Sequence, residues 1–179
     1  MSYIVVQIIG IVAMCLTILS YQLKTQKQIV SIQVFSAVLW VVHFFTLGAL
    51  SGAVLNMLSM VRNAVYSQKD KKWAASIIWP VFFIIAILVL YVCNFAFFGV
   101  KATEYNMAVE VLPTVGTIMF TLALRMPTAG KVRIFTLMSS PFWLAYNAIS
   151  GSVGGVCAET FAIVSVIVGI IRLDIKRKR

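Results

Sequence analysis

Seven apolar runs, separated by short polar gaps, make up most of the chain. The runs cover approximately residues 3–20, 29–47, 51–66, 75–99, 106–124, 132–149 and 152–171. A helix needs about 17–25 residues to cross the hydrocarbon core of a membrane, so most of these runs are long enough to span it. Helices are expected because lipid offers no hydrogen-bond partner to a backbone amide or carbonyl. The pattern therefore predicts an all-α membrane protein with seven transmembrane helices.

The gaps between the runs alternate in charge. Of the fifteen Lys and Arg residues, fourteen follow runs one, three, five or seven, and Lys101 falls in the remaining gaps. In this assignment Arg62 belongs to the end of run three and Arg133 to the gap between runs five and six. Basic residues in short loops mark the cytoplasmic side of a membrane. The pattern predicts an N-terminus outside and a basic tail, residues 172–179, in the cytoplasm.

Composition supports a membrane environment and excludes several classes of function. Hydrophobic residues make up 61% of the chain and charged residues 11%, whereas a soluble domain is about 25% charged. The net charge of +10 is spread over the gaps, so no nucleic-acid partner is expected. The opening segment lacks a positive n-region and a cleavage site, which predicts a retained helix. Cys15, Cys93 and Cys157 all lie within apolar runs, which predicts neither a disulfide framework nor a metal site.

A repeat relates the first three runs to the last three. LWVVHFFTLGALSGAVLN at 39–56 aligns with FWLAYNAISGSVGGVCAE at 142–159 at a constant offset of 103 residues. This alignment pairs Trp40 with Trp143, His43 with Tyr146, Gly48 with Gly151, Gly52 with Gly155, and Asn56 with Glu159. Upstream the offset is 106 residues and pairs Gly10 with Gly116, which predicts a connection three residues longer in the first half.

The fourth run has no counterpart in the repeat. An odd helix is needed between two three-helix units if both are to face the same way across the membrane. The sequence therefore predicts a 3+1+3 architecture, with parallel triple-helix repeats at 3–66 and 106–171 and a linker helix at 75–99. Transporters built from parallel repeats hold their substrate near the bilayer midplane between the halves.

Trp40, Asn56, Trp143 and Glu159 are the main candidates for solute binding. At about 1.5 Å of rise per residue, each lies roughly 3–4 Å outward of the midpoint of its run, so four helices present them at one depth. Glu159 lies deep in an apolar run, where a carboxylate is expected to face protein or a water-filled cavity. Indole faces stack on sugars and hold cations. Each of these residues also has a structural alternative. A protonated Glu159, or the amide of Asn56, would form a hydrogen bond to a neighbouring helix, and the indoles of Trp40 and Trp143 would lie at the lipid headgroups.

Three further residues share a helical face with the two tryptophans. His43 and Tyr146 follow Trp40 and Trp143 by three residues, and Asn147 follows Trp143 by four. We include all three among the predicted binding residues, with a satisfied helix contact as the alternative role for His43. Pro141 removes a helix hydrogen bond close to Trp143 and is a candidate hinge.

At these residues the chain resembles the SWEET, SemiSWEET and PQ-loop transporter superfamily, and within it the YgjV-type bacterial inner-membrane proteins. The resemblance rests on the 3+1+3 repeat, the predicted topology and the spacing of Trp40 and Asn56. It implies a location in the bacterial inner (plasma) membrane, alternating access, and a pocket lined by the Trp and Asn of each repeat, with Glu159 at the second Asn position.

The chain departs from the superfamily pattern in three ways. The PQ dipeptide survives only as Tyr21-Gln22 in one half and Pro127-Thr128 in the other. The helix prolines of SWEETs are kept in the second half alone, at Pro127 and Pro141, which implies hinges there. Glu159 replaces an amide that carriers of neutral sugars keep.

These observations predict a transporter of a small polar solute, either a sugar or a small cationic or zwitterionic metabolite. Membrane lipids are the other expected partners. The fourth run has almost no polar residues, so its surface could also pack against a second copy in a homodimer. The alternative is a non-transporting receptor or scaffold on the same fold. We expect neither a cofactor nor enzymatic activity, because one histidine and one membrane carboxylate form no nucleophile–base constellation.

Overall fold

The computed structural model describes the backbone of residues 3–46, 50–97, 99–149 and 153–175, with the side chains of 3, 50–52 and 153–154 left out. All regular structure within these ranges is helical. The α-helices are α1 (Tyr3–Ser20), α2 (Gln26–Thr46), α3 (Leu50–Ser67), α4 (Lys72–Ala75), α5 (Ile78–Ala96), α6 (Glu104–Arg125), α7 (Ala129–Ile149) and α8 (Val153–Gly169), and a π-helical segment, Ile170–Ile175, follows α8.

The prediction of an all-helical chain is confirmed for the described residues. Each predicted run corresponds to one long helix, but the fourth begins at Ile78, after the separate turn α4, and the seventh continues into the π-helical segment. Within the described ranges, four helical segments are long and apolar enough to cross a membrane: Gln26–Thr46, Ile78–Ala96, Glu104–Arg125 and Gly155–Ile175. The predicted glycine turns at 47–49 and 150–152, like most of the basic tail at 176–179, lie outside the described residues.

Local chemistry sets several of the helix ends. Thr103 caps α6, since its side chain accepts a hydrogen bond from the backbone amide of Asn106, which satisfies one of the free amides of the first turn. Pro80 occupies the first turn of α5, where its missing N–H costs little. Gly99 follows α5 with a φ of 76°, a conformation that glycine adopts without a steric penalty.

The long helices form two triple-helix units that meet face to face. In the first unit α1 packs on α2 and α2 on α3; in the second unit α6 packs on α7 and α7 on α8. Across the units α1 contacts α8, α3 contacts α6, and α2 contacts α7, while α5 packs against α3 and α6. Exchanging the units turns the α1–α8 contact into the α6–α3 contact. The contacts between the units therefore have the pattern of an internal two-fold.

The units are tied together where α1, α3, α6 and α8 finish and α2 and α7 begin, which we call the closed end. The main apolar core lies here and includes Ile29, Val30, Tyr66, Leu124 and Val132. Side-chain amides and a lysine bridge the units at this end: Gln22 donates to Ser165 O (2.6 Å), Gln26 to Leu124 O (2.8 Å), and Lys69 to Met126 O (2.6 Å). Burial lowers the pKa of Lys69 below its ordinary value.

A fully buried arginine completes the closed end. Arg133, in the second turn of α7, donates to both carboxylate oxygens of Asp174 (2.8 and 2.9 Å) and to the carbonyl of Tyr21 (2.8 Å). It also donates to the carbonyl of Leu23 in the α1–α2 connection. Both contacts with the carboxylate come from Nη1, and such hydrogen bonds between charged groups are stronger than neutral ones. Arg133 therefore joins the second unit to the first through the backbone.

This arrangement corrects the assignment of Arg133 to a connecting segment and places Arg62 within α3, before its last turn. Arg62 and Arg133 lie inside α3 and α7, with only 3% and 0% of their surface exposed. Both therefore contribute to internal contacts instead of to the charge of a connecting segment.

A candidate solute cavity between the two units

A cavity of about 370 Å³ lies between the two triple-helix units. Five of the seven predicted binding residues line it: Trp40, Asn56, Trp143, Asn147 and Glu159. Phe44 and Phe120 add to the aromatic part of the wall, and Arg62, Asn63 and Ser140 add polar groups. The cavity thus combines aromatic faces with hydrogen-bonding groups, as small-molecule sites commonly do.

Residues from equivalent positions of the repeat face each other across this cavity. Seven pairs separated by 103 residues, on α2 and α3 in one unit and α7 and α8 in the other, line it, among them Gln33 with Thr136, Trp40 with Trp143, and Asn56 with Glu159. The two-fold pattern of helix contacts accounts for this arrangement, because it places corresponding faces of α2 and α7, and of α3 and α8, on opposite walls.

Glu159 is partly buried on α8. Its carboxyl group lies close to the side chain of Ser140 on α7. No Lys or Arg of the described residues lies within 4.0 Å of the carboxylate, since the ion pairs found there are Lys27–Asp70 and Arg133–Asp174. The acid is therefore available to a basic group of a solute.

Arg62 is a cavity residue that the sequence interpretation missed. Its Nη1 donates to the hydroxyl of Thr121 (2.9 Å) and its Nε to the side chain of Asn63 (3.2 Å). The guanidinium carbon lies 5.1 Å from the ring centre of Phe120. The signal was present in the sequence, because Asn56, Ser59 and Asn63 recur at helical spacing and mark a polar face on α3.

Two buried polar atoms on the cavity wall have no hydrogen-bond partner among the described residues. They are Oε1 of Gln33 and Oγ1 of Thr136, and both residues are 3% exposed. Buried polar groups in folded proteins are nearly always paired. Both residues lie at the same repeat position in the cavity lining, but the two oxygens themselves are buried, so a solute can reach them only if neighbouring side chains move.

The structure does not bring His43 and Tyr146 to this cavity. The Nδ1 of His43 lies 2.8 Å from the carbonyl oxygen of Val6, and its ring packs so closely on Gly10 that a Cβ there would lie 2.8 Å from Cε1. The hydroxyl of Tyr146 lies 3.3 Å from a carboxylate oxygen of Glu110. Both rings do contact the neighbouring indoles, with centroids 5.5 Å apart for Trp40–His43 and 6.2 Å for Trp143–Tyr146.

Tyr146 belongs instead to a second, smaller cavity of about 170 Å³ between α5, α6 and α7. Glu110 lies in this cavity and accepts a hydrogen bond from the side-chain amide of Asn94 (3.1 Å). Trp143 and Thr117 line both cavities. The indole of Trp143 therefore forms part of the wall between them.

The chain as a whole matches a known protein family. Residues 4–177 match the family model Imp-YgjV, described as bacterial inner membrane protein. The chain belongs to this family. It is 25% identical over 159 residues to inner membrane protein YgjV of Escherichia coli (strain K12), an alignment that covers 88% of this chain and 78% of the relative. No solved structure matches the chain. Membership of the YgjV family and the apolar helices agree with a multi-pass location in the bacterial inner membrane.

The predicted hinge prolines of this YgjV-family chain occupy different settings. Pro141 lies inside α7, two residues before Trp143, with an exposed side chain. Pro127 is exposed in the short connection between α6 and α7. Pro113, which the sequence interpretation did not consider, lies inside α6 and lines the smaller cavity. Within the described residues no group of His, Cys, Asp and Glu is arranged to hold a metal ion.

Proposed function

We propose that this chain is a SWEET-like, alternating-access transporter of a small polar solute. In this proposal the triple-helix repeats at 3–66 and 106–171 and the linker helix at 75–99 form a seven-helix 3+1+3 fold. The observation that carries the proposal is a cavity between the units whose walls take equivalent residues from both. Rocking of one unit on the other would expose such a site to each side of the membrane in turn.

The proposed orientation places the N-terminus outside and the closed end at the cytoplasmic side, where the connections are basic. The described conformation is then closed toward the cytoplasm, because the bridges of Gln22, Gln26 and Arg133 lie at that end. Opening toward the cytoplasm requires these bridges to break. Pro141 lies inside α7 beside the cavity and removes a backbone hydrogen bond there, so it is the proposed hinge for this motion.

The cavity fits a solute with a flat or ring-shaped apolar face and several polar groups. The indoles of Trp40 and Trp143 provide stacking surfaces. Asn56 and Asn147 provide hydrogen-bonding groups. Glu159 adds an acidic group, which distinguishes this cavity from one built for neutral sugars alone.

A two-stage measurement tests the proposal. Purified protein is first screened by thermal shift against sugars, amino acids, amines and nucleosides, and compounds that stabilise it are then tested for uptake into proteoliposomes. Trp143→Ala and Asn56→Ala are expected to reduce uptake by about tenfold or more, equivalent to about 1.4 kcal/mol per factor of ten. Phe35→Ala is the matched control, since Phe35 is 64% exposed on α2 and is expected to face lipid.

The outcomes separate a transporter from the alternative functions. Compounds that bind without being taken up would identify a receptor and overturn the transport proposal. Uptake that is unchanged in Trp143→Ala and Asn56→Ala would show that the cavity is not the pathway. If Glu159 couples transport to protons, Glu159→Gln is expected to abolish the pH dependence of uptake.

A further inference from the structure

The cavity contains two ionisable side chains of opposite type that do not pair with each other. Arg62 lies on the first unit and Glu159 on the second, and both line the same space. No ion pair within 4.0 Å joins them among the described residues. Arginine keeps its charge at any physiological pH. A positive group and an acid therefore face one cavity from opposite units.

The two buried arginines of this protein show what is unusual about Arg62. Arg133 is fully buried and has its charge balanced by both oxygens of Asp174. Arg62 is almost as buried, but its partners are a hydroxyl, an amide oxygen and an aromatic ring. Burying a charge is costly unless it is paired with an opposite charge. A purely structural arginine would be expected to resemble Arg133.

The donor geometry of Arg62 leaves capacity for an anion. Its Nε and Nη1 are used in hydrogen bonds, while Nη2 has none with the residues that the structure describes. Guanidinium groups bind carboxylates and phosphates with several N–H donors at once. A carboxylate in the cavity would supply the missing counter-charge, and Phe120 and Thr121 already hold the guanidinium in place.

The two charges are also separated along the membrane normal. Arg62 lies six residues beyond Asn56 on α3, and Asn56 is the repeat position of Glu159. Six residues correspond to about 9 Å of helix rise, part of which the long arginine side chain recovers. A solute with both charges can contact both residues, whereas a solute with one charge leaves the other residue without its partner.

We propose that the solute is a zwitterion, whose anionic group binds Arg62 and whose cationic group binds Glu159. This inference rests on the proposed function and specifies its substrate class. The ammonium group is held between the carboxylate and the indole faces of Trp40 and Trp143, which favour cations. The anionic group lies deeper, toward the closed end, beside Asn63, which also lines the cavity. Neutral sugars satisfy neither charge.

The first experiment measures ligand affinity of the wild-type protein in detergent by calorimetry and thermal shift. The probes are the ω-amino acids from glycine to 6-aminohexanoate, so that the distance between the charges need not be assumed. For the tightest member, the matched controls are the amine without the carboxylate, the acid without the ammonium, and D-glucose. We expect the zwitterion to bind about tenfold or more tightly than either singly charged analogue, because each lost contact is a charged hydrogen bond. Equal affinity for a singly charged analogue or for glucose would overturn the inference.

The second experiment assigns each charge to its residue. Arg62→Gln is expected to lower affinity for the zwitterion by about tenfold and to leave affinity for the amine unchanged. Glu159→Gln is expected to do the reverse, lowering affinity for the zwitterion while sparing the acid. Arg172→Gln is the control, since Arg172 is exposed near the end of the chain. If Arg62→Gln does not fold, Arg62→Lys retains the charge, and the wild-type ligand series decides the question without any variant.

Binding and uptake measured together distinguish the failure of this inference from the failure of the proposed function. A zwitterion that binds but does not enter proteoliposomes would contradict transport and support the assigned site. A neutral sugar that binds and enters would support transport and overturn the zwitterion. Loss of the zwitterion preference in both charge variants, with uptake retained in Arg172→Gln, is the result expected when both proposals hold.

Discussion

The two triple-helix units have equivalent helices and equivalent tryptophans in the cavity wall, but they differ in charge. At the position where the first unit has Asn56, the second has Glu159, and where the first has Arg62, the second has Ser165. Ser165 instead forms uncharged hydrogen bonds to the first unit, donating to Ile18 O (2.7 Å) and accepting from Gln22 (2.9 Å). The comparison teaches that the repeat preserves shape, while the chemistry of each wall is set by a few exchanged polar positions.

The closed end shows the same divergence with the units reversed. Arg133 of the second unit corresponds to Val30 of the first, and both are fully buried. Val30 belongs to the apolar core, whereas Arg133 needs Asp174 and two backbone carbonyls as partners. The first unit is therefore held by packing at this position, and the second by an ion pair.

Breaking that ion pair is expected to have the largest effect on stability. Asp174→Asn leaves the buried guanidinium of Arg133 without its counter-charge and should lower the free energy of unfolding by about 3 kcal/mol. Arg133→Met should cost less, because the Asp174 side chain is 28% exposed and can be hydrated. Thermal unfolding in detergent measures both. The control is Lys27→Gln, which breaks the ion pair with Asp70, whose two side chains are 66% and 70% exposed. If Lys27→Gln lowered the free energy of unfolding as much as Asp174→Asn, this reasoning would be contradicted.

The glycines at equivalent positions of α1 and α6 offer a test with an intermediate effect. A Cβ at Gly116 would lie 2.8 Å from Cδ1 of Trp143, and a Cβ at Gly10 would lie 2.8 Å from Cε1 of His43. Alanine at either position should cost about 1–3 kcal/mol by overpacking. Only Gly116→Ala should weaken solute binding, because it displaces an indole that lines the cavity. Equal losses of affinity in both variants would place His43 functionally in the site.

His43 itself can be tested with a smaller expected effect. His43→Leu removes the hydrogen bond to Val6 O and should lower the free energy of unfolding by about 1 kcal/mol. Solute affinity and its pH dependence should stay as in the wild type, because the side chain does not line the cavity. Titration calorimetry at several pH values makes the comparison, and a pH profile altered by His43→Leu would restore the binding role predicted from sequence.

The smallest effect on stability is expected at the buried hydroxyl of Thr136. Thr136→Val removes an oxygen that has no hydrogen-bond partner in the described structure. The free energy of unfolding should therefore change by less than about 0.5 kcal/mol. Its repeat partner, Gln33, donates to the hydroxyl of Ser20 (3.1 Å), so Gln33→Met should be measurably destabilising. A clear loss of stability in Thr136→Val would assign this oxygen a structural role.

Much of this fold follows from the hydrophobic pattern, because apolar segments in lipid must satisfy their backbone groups within helices. The repeat alignment and the helical rise per residue also predicted that Trp40, Asn56, Trp143 and Glu159 lie on four helices at one depth. These four residues line one cavity. The spacing of three residues correctly put His43 beside Trp40, with ring centroids 5.5 Å apart.

Tertiary structure alone decided which of the neighbours on a helical face enter the cavity. Helical periodicity gives the angle between two side chains on one helix, but the rotation of each helix about its axis depends on what packs against it. Gly10 makes room for His43 to turn toward α1, and Trp143 lies against Gly116 in the cavity wall. Likewise, Arg62 and Arg133 are both basic residues close to one end of an apolar run. Only the fold gives Arg133 the carboxylate of Asp174 and leaves Arg62 facing a shared cavity.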